Sequence, residues 1–396
     1  MQAHELHDMQ EAIREEGLDG WLFSNFRHRD LLSDGILGVD TGATNTRRWV
    51  YAVPAQGEPR GIVHFIEKDI LEGLPGSRTA YVSREEFLAA LAPLGGKRWG
   101  VHSSETISAI SYLDRGTAAT LEKAGLTLVS AEALIQRFRG LLDEEGIASH
   151  ERAAAGLYRI VEIAWERVRQ AYAAEAAGEA SASLREGDIR ALMLEEMDRR
   201  GLIPGHPPIV AGGANSGNPH YDFSGSGAAF KKGGVIQFDL WAREAGERSM
   251  VADISWVGVY APEAPAAVRD AFSALVEARE GTLNFIGREL AAGRKLTGAQ
   301  VDRKARQLLS DSGYGDALRH RTGHGIDTEC HGSGVNIDSV EFPDHRFLLE
   351  GSCFSLEPGI YFGEFGLRTE IDVYIYRGKP VVSGGDYPRQ TKLLTC

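Results

Sequence analysis

Between residues 1 and about 140, short apolar runs alternate with stretches whose apolar positions recur every three or four residues, the signature of a mixed α/β domain. The runs in DGWLFS (19–24), RRWVYAVP (47–54), PRGIVHFIE (59–67) and KRWGVHSS (97–104) predict strands. SREEFLAALAPL (83–94) and LDRGTAATLEKAG (113–125) predict helices, with Ser or Asp near their starts and Gly at or beyond their ends. The opening segment, MQAHELHDMQEAIREE, reads as a polar amphipathic helix. His28, between Arg27 and Arg29, reads as part of a solvated loop.

The texture changes near DEEGIASHE (143–151), where a long helical pattern puts Leu157, Ile160, Val161, Ala164 and Val168 on one face. Three further helices are predicted over 182–201, with Gly201 as C-cap, over 264–286 and over 296–313. Between and after them, 207–213, 233–242, 249–260, 351–362 and 367–376 read as strands. Helices grouped with antiparallel-looking strands, without regular βαβ alternation, predict an α+β domain. The boundary falls near residue 143, giving a first domain over 1–142 and a second over 146–396.

A chain of 396 residues is comfortable for two domains, and its apolar and charged fractions are those of a globular protein. The net charge of -13, with no run of Lys and Arg, argues against a nucleic-acid surface. No apolar run approaches the roughly 18 residues that span a bilayer, and the first residues lack a signal-peptide apolar region. A cytoplasmic protein with no membrane partner is expected. Cys330, Cys353 and Cys396 are too scattered for a disulfide framework or a structural zinc pair.

Candidate chemistry concentrates in the second half. Asp239 ends the apolar run Val235–Phe238, and Asp253 stands between Ala252 and Ile254. A carboxylate in an apolar strand needs a partner, because an unpaired buried charge costs several kcal/mol, roughly, or shifts its pKa. A metal would supply one; pairing with Arg243 or Arg248 is the alternative. Glu357, followed by Pro358 and Gly359, and Glu370, near Arg368, repeat the theme. Between these pairs lies His320-Arg-Thr-Gly-His324-Gly-Ile-Asp-Thr-Glu-Cys-His331, whose Gly323 and Gly325 break a helix and let the backbone approach a ligand closely. His220 lies upstream in a turn-rich loop. Four carboxylates and one imidazole form a hard, oxygen-rich set suited to Mn²⁺, with Zn²⁺ or Co²⁺ also compatible. Such a set suffices for two divalent ions about 3.5–4 Å apart, the arrangement of two-metal hydrolysis.

The order Asp239, Asp253, His324, Glu357, Glu370 resembles the ligand pattern of the pita-bread metallopeptidases, the family of methionine aminopeptidase, aminopeptidase P and prolidase. His320, His324 and His331, with Asn218-Pro-His220-Tyr221, are similar to the aminopeptidase P and prolidase branch. The resemblance implies a pita-bread catalytic domain behind a smaller creatinase-like α/β domain, and a homodimer. It implies metal binding by the five residues named, Glu357 as general base for the attacking water, and His220 and His331 as contacts to substrate and tetrahedral intermediate. His320 and Arg368 would be supporting or substrate contacts. The substrate class implied is peptides with proline second, and the leading expectation is an Xaa-Pro dipeptidase, with aminopeptidase P as the alternative. A dipeptidase must read a free carboxylate, for which Arg368, Arg321, Arg389 or Tyr387 are candidates.

Departures from the family pattern accompany it. The two aspartates are three residues further apart than usual, implying a longer hairpin over 241–250. Trp256 stands where Arg is usual, Gly332 where an acid is common, and Ile371 where Asp is usual. Trp256 and Tyr387 are bulky enough to shorten a pocket, which favours dipeptides. A metal-free creatinase-type amidinohydrolase on this fold would lack the ligand acids, and non-catalytic binding modules typically lose them.

Overall fold

A computed structural model of the chain describes residues 3–179, 182–246 and 248–396, which form two compact units, 1–139 and 140–396. Met1 and Gln2 of the expected first helix, and Glu247 of the expected long hairpin, lie outside the described residues.

The first unit runs α1 (Ala3–Glu15), β1 (Gly20–Asn25), α2 (Leu31–Leu37), β2 (Trp49–Pro54), β3 (Arg60–His64), β4 (Ser77–Tyr81), α3 (Arg84–Leu91), β5 (Arg98–Val101), α4 (Arg115–Lys123), β6 (Thr127–Ser130) and α5 (Glu132–Arg139). Its strands form one mixed sheet in the order β4-β3-β2-β1-β5-β6. Strict alternation divides the side chains between two cores: Trp21, Phe23, Trp49 and Tyr51 enter one, while Leu22, Val50, Ala52 and Ile62 enter the other. The predicted strands and helices of this half are present. His28 departs from expectation. It is largely buried, and its ring nitrogens meet Asp34 Oδ2 and Ala43 O, both at 2.9 Å, tying its turn to the following loop.

The second unit runs α6 (Glu144–Ala176), α7 (Glu186–Arg199), β7 (Leu202–Ile203), β8 (Ile209–Gly212), β9 (Val235–Glu244), β10 (Ala252–Val259), α8 (Ala266–Ala291), α9 (Gly298–Asp311), β11 (Cys353–Leu356), β12 (Gly359–Tyr361), β13 (Gly366–Arg368), β14 (Ile371–Tyr376) and β15 (Lys379–Val382). Asp143 caps α6 by accepting from Gly146 N, and the predicted stripe Leu157, Ile160, Val161, Ala164 and Val168 is fully buried. Burying each of the larger side chains is worth about 1.5–3 kcal/mol. That stripe packs with α7 against one face of β8, β9 and β10, where Phe238, Leu240 and Ile254 point.

β9 and β10 are antiparallel, with Asp239 opposite Ser255 and Asp253 opposite Trp241. Asp239 and Asp253 are therefore diagonal neighbours on one face, the face turned away from α6. Two segments that read as continuous strands are in fact broken: β11 and β12 part at Glu357-Pro358, and β13 and β14 part at Thr369-Glu370. Pro358 has no N–H to extend a ladder. Both glutamates thus sit at interruptions, free of the alternation that would fix them to one sheet face.

Candidate metal centre

The site is assembled from β9, β10, the two strand interruptions and the glycine-containing loop. Asp239, Asp253, His324 and Glu370 are all at least nine-tenths buried, and Glu357 is largely so. His324 Nε2 lies 3.7 Å from Asp253 Oδ2 and 3.5 Å from Glu357 Oε1. Donor atoms of Asp253, His324 and Glu370 lie within 4.8 Å of one another. Ser255 Oγ donates to Glu370 Oε2 at 2.8 Å, and Ser355 Oγ to Glu357 Oε1 at 3.3 Å.

Electrostatics mark the cluster as short of positive charge. Burial raises Asp253 well above the usual carboxylate range, and Asp239 and Asp372 push it in the same direction. Burial, with Asp253 and Glu357 nearby, does the same to Glu370, and Glu357 is pushed up to about 7. Burial holds the His324 ring well below its ordinary value, leaving a neutral imidazole fit to ligate. Asp253 Oδ1 and Glu370 Oε1 are buried without a hydrogen-bond partner. Buried polar atoms are normally satisfied. Orphaned carboxylate oxygens facing a neutral imidazole are what a divalent cation would complete, so the donor set fits such ions.

The glycines act on backbone rather than on ligand. A Cβ on Gly323 would lie 2.0 Å from Ser355 O, and one on Gly325 would lie 2.5 Å from Gly334, so both are demanded by the close docking of the loop against β11 and the 333–337 segment. Asp302, fully buried, accepts from Thr322 N and Ser339 N and pins the loop from below.

The remaining predicted residues divide. His220 and His331 are exposed, and His220 lies close enough for its charge to act on Asp239 and on His331. Arg368 is buried and turned inward: its guanidinium pairs with Asp239, takes Ser255 Oγ at 3.2 Å and meets Tyr361 OH at 3.3 Å. His320 joins this chain through its Nε2, 2.8 Å from Tyr361 OH, and burial together with Arg368 lowers it to about 4. Both are engaged by protein partners. Arg243 and Arg248 are elsewhere, on Gly246 O and Asp143, so neither neutralises the aspartates.

Two expectations are corrected. Tyr387 stacks on Tyr158 of α6 at 6.1 Å, and Trp256 meets the same ring edge-on at 6.0 Å; both pack on the α6 side of the sheet. Trp256 is an odd number of positions from Asp253 and Ser255, so the pleat sends it to the opposite face. Arg389 is likewise removed, paired with Glu280 of α8.

Sequence reasoning missed Glu186. Fully buried at the start of α7, it accepts from Gly212 N, Asn215 Nδ2, Tyr221 OH and Ala228 N at 2.6–3.0 Å, and so holds the loop that carries His220. An acid one residue into a helix signals only a favourable dipole contact. It also missed the meaning of Gly332. A Cβ there would fall 2.5 Å from Asp327 Cγ, because the buried Asp327 carboxylate fills that space and accepts from Glu329 N and Ser333 N.

Comparison with known proteins agrees with this architecture. An Xaa-Pro dipeptidase of Lactobacillus delbrueckii subsp. lactis is 32% identical over 163 residues, which is 41% of this chain and 40% of that relative. The chain thus matches less than half the length of that curated relative. Dipeptidase PepE from Mycobacterium ulcerans superposes with a TM-score of 0.73 at 20% identity, covering 99% of this chain and 97% of that one. X-Pro aminopeptidase from Thermotoga maritima MSB8 superposes with a TM-score of 0.62 at 22% identity, covering 99% of both chains. These likenesses establish a pita-bread fold behind a smaller α/β domain. The sequence description of metallopeptidase family M24 matches residues 150–377, more than half the chain and the whole stretch from Asp239 to Glu370, and the chain belongs to that family.

Proposed function

We propose that the chain is a dinuclear metal-dependent exopeptidase that hydrolyses Xaa-Pro bonds, with Xaa-Pro dipeptides as its substrates. The observation that carries this reading is the convergence of Asp253, His324, Glu357 and Glu370, with Asp239 diagonal to Asp253, on one buried site with orphaned carboxylate oxygens. Asp239, Asp253, His324, Glu357 and Glu370 would hold two divalent ions, for which Mn²⁺ is the hard-ligand choice. When bound, such ions supply Lewis acidity toward a carbonyl and toward a water.

The chain's own groups account for the rest. Glu357, steadied by Ser355, takes the proton of the attacking water and passes it to the leaving amine. His220 and His331, exposed on their loops, donate to the oxygen on which charge develops. Arg368, whose guanidinium also donates to Tyr361 OH, fixes the Asp239 carboxylate so that the ligand does not turn away. Arg321 becomes the candidate reader of a dipeptide's carboxylate. Its charge is felt at His324, His331 and Glu357, and among the described residues its guanidinium makes no hydrogen bond. We place the protein in the cytoplasm as a homodimer, on family likeness.

The test is hydrolysis by chelated and Mn²⁺-restored protein of Xaa-Pro dipeptides against Xaa-Pro-Xaa tripeptides. Dipeptide cleavage that requires metal is the expected result. Cleavage of tripeptides alone assigns the aminopeptidase P reading. Full activity in the chelated protein defeats both. Arg321→Ala should raise KM for the dipeptide far more than it lowers kcat.

A further inference from the structure

Cys330 stands among the proposed ligands without being one of them. Cys330 Sγ donates to Asp253 Oδ2 at 3.0 Å, and its sulfur lies within 4.8 Å of ring nitrogens of both His324 and His331. The His324 and His331 rings meet edge-on at 4.3 Å. Asp253 is 4% exposed, and its Oδ1 is without a partner. No ring nitrogen of His331 is committed to a protein hydrogen bond of the described residues, whereas His320 is fully engaged.

We propose that Cys330, His324 and His331, with Asp253 as fourth donor, form a second and overlapping metal site that selects thiophilic divalent ions such as Zn²⁺ or Cd²⁺ and that competes with the carboxylate-rich pair. Two imidazoles, one thiolate and one carboxylate are a tetrahedral, borderline-soft set, the kind that zinc takes and manganese does not. A metal–sulfur bond forms as the thiol proton leaves to solvent. The overlap has a direct consequence. An ion held here draws His324 and Asp253 toward sulfur and occupies His331, so a soft metal disables the centre that a hard metal serves. The position of Cys330 on the loop is fixed by Asp327, which holds Glu329 N and Ser333 N on either side of it.

The inference shares two ligands with the proposed peptidase site but not its chemistry, so its test uses no substrate. The whole chain, stripped with chelator, is titrated with Co²⁺ and followed for near-ultraviolet sulfur-to-cobalt charge transfer. The unaltered protein should show the band, and Cys330→Ser and Cys330→Ala should lose it. In parallel, alkylation is mapped by peptide mass on the unaltered protein: Cd²⁺ or Zn²⁺ should abolish modification of Cys330, and Mn²⁺ should leave it. Absence of the band at saturating Co²⁺, or its survival in both variants through Cys353 or Cys396, overturns the proposal. So does equal protection by Mn²⁺. If metal-dependent Xaa-Pro hydrolysis is absent while the band is present, the function reading fails and this one stands.

Discussion

Gly332→Ala tests the packing of the buried Asp327 carboxylate against Gly332 in the histidine loop. The added methyl would fall 2.5 Å from Cγ of Asp327, whose carboxylate is 1% exposed and bonded to Ser333 N at 2.7 Å and Glu329 N at 2.9 Å. The carboxylate has to leave. Two hydrogen bonds to a charged acceptor contribute about 1.5–3 kcal/mol each, and relaxation recovers part of the loss, so a destabilisation of roughly 3–5 kcal/mol is expected. That is a large share of the ~5–15 kcal/mol typical of a domain. Urea unfolding, followed at the transition of residues 140–396, measures it. Asp327→Ala should cost a similar amount by orphaning the same two N–H groups. The double variant should cost little more than Asp327→Ala alone, because the collision then has no partner, giving a coupling of about 3–5 kcal/mol, the size of the Gly332→Ala cost itself. A Gly332→Ala cost within about 0.5 kcal/mol, or additive costs in the double variant, would refute the packing explanation.

Asp253→Asn should reduce hydrolysis at least ~100-fold, by loss of metal occupancy, while the metal-free protein melts higher in alkaline buffer because Asp239 and Asp372 no longer face a third buried charge; a lower melting temperature would count against the repulsion. Glu357 is raised in the folded protein from 4.5 to about 7, so its stability contribution is intact below pH 4.5 and is lost as pH climbs through 7. At about 1.4 kcal/mol per pKa unit, the metal-free protein should lose ~3 kcal/mol across that window relative to Glu357→Gln, and thermal melts showing no such difference would contradict it. Glu186→Ala, which deprives four donors of their acceptor, should destabilise by ~3–5 kcal/mol and raise KM by loosening the His220 loop. Limited proteolysis within 212–228 and steady-state kinetics check the two halves of that statement.

The acids of the site were legible because each interrupts an apolar stretch: Asp239 after Val235–Phe238, Glu357 after Leu356, and Glu370 before Ile371. The strand breaks at Glu357 and Glu370 were not, since an apolar run continues through both and only Pro358 hints at the first. Trp256 and Tyr387 were misplaced by size, although the two-residue period already puts Trp256 opposite Asp253. β4 was invisible because Ser77–Ala80 is exposed and polar, so no apolar alternation marks it. Glu186, Asp302 and Asp327 act on backbone N–H groups, two of them across long separations in sequence, and no local pattern records an acceptor whose donors are supplied by folding.

The two aspartates stand in the paired interior of β9 and β10, backed by the α6 core, whereas His220, His331 and Cys330 hang on turns clamped by single buried acids. Heredity can therefore work on the two parts separately. Replacing a turn together with its own clamp leaves the ladder beneath untouched, so new preferences for substrate or ion can be sampled without rebuilding the hydrolytic apparatus. Asp327, packed against Gly332, is one such clamp: a single buried carboxylate holds the turn that carries Cys330 and His331.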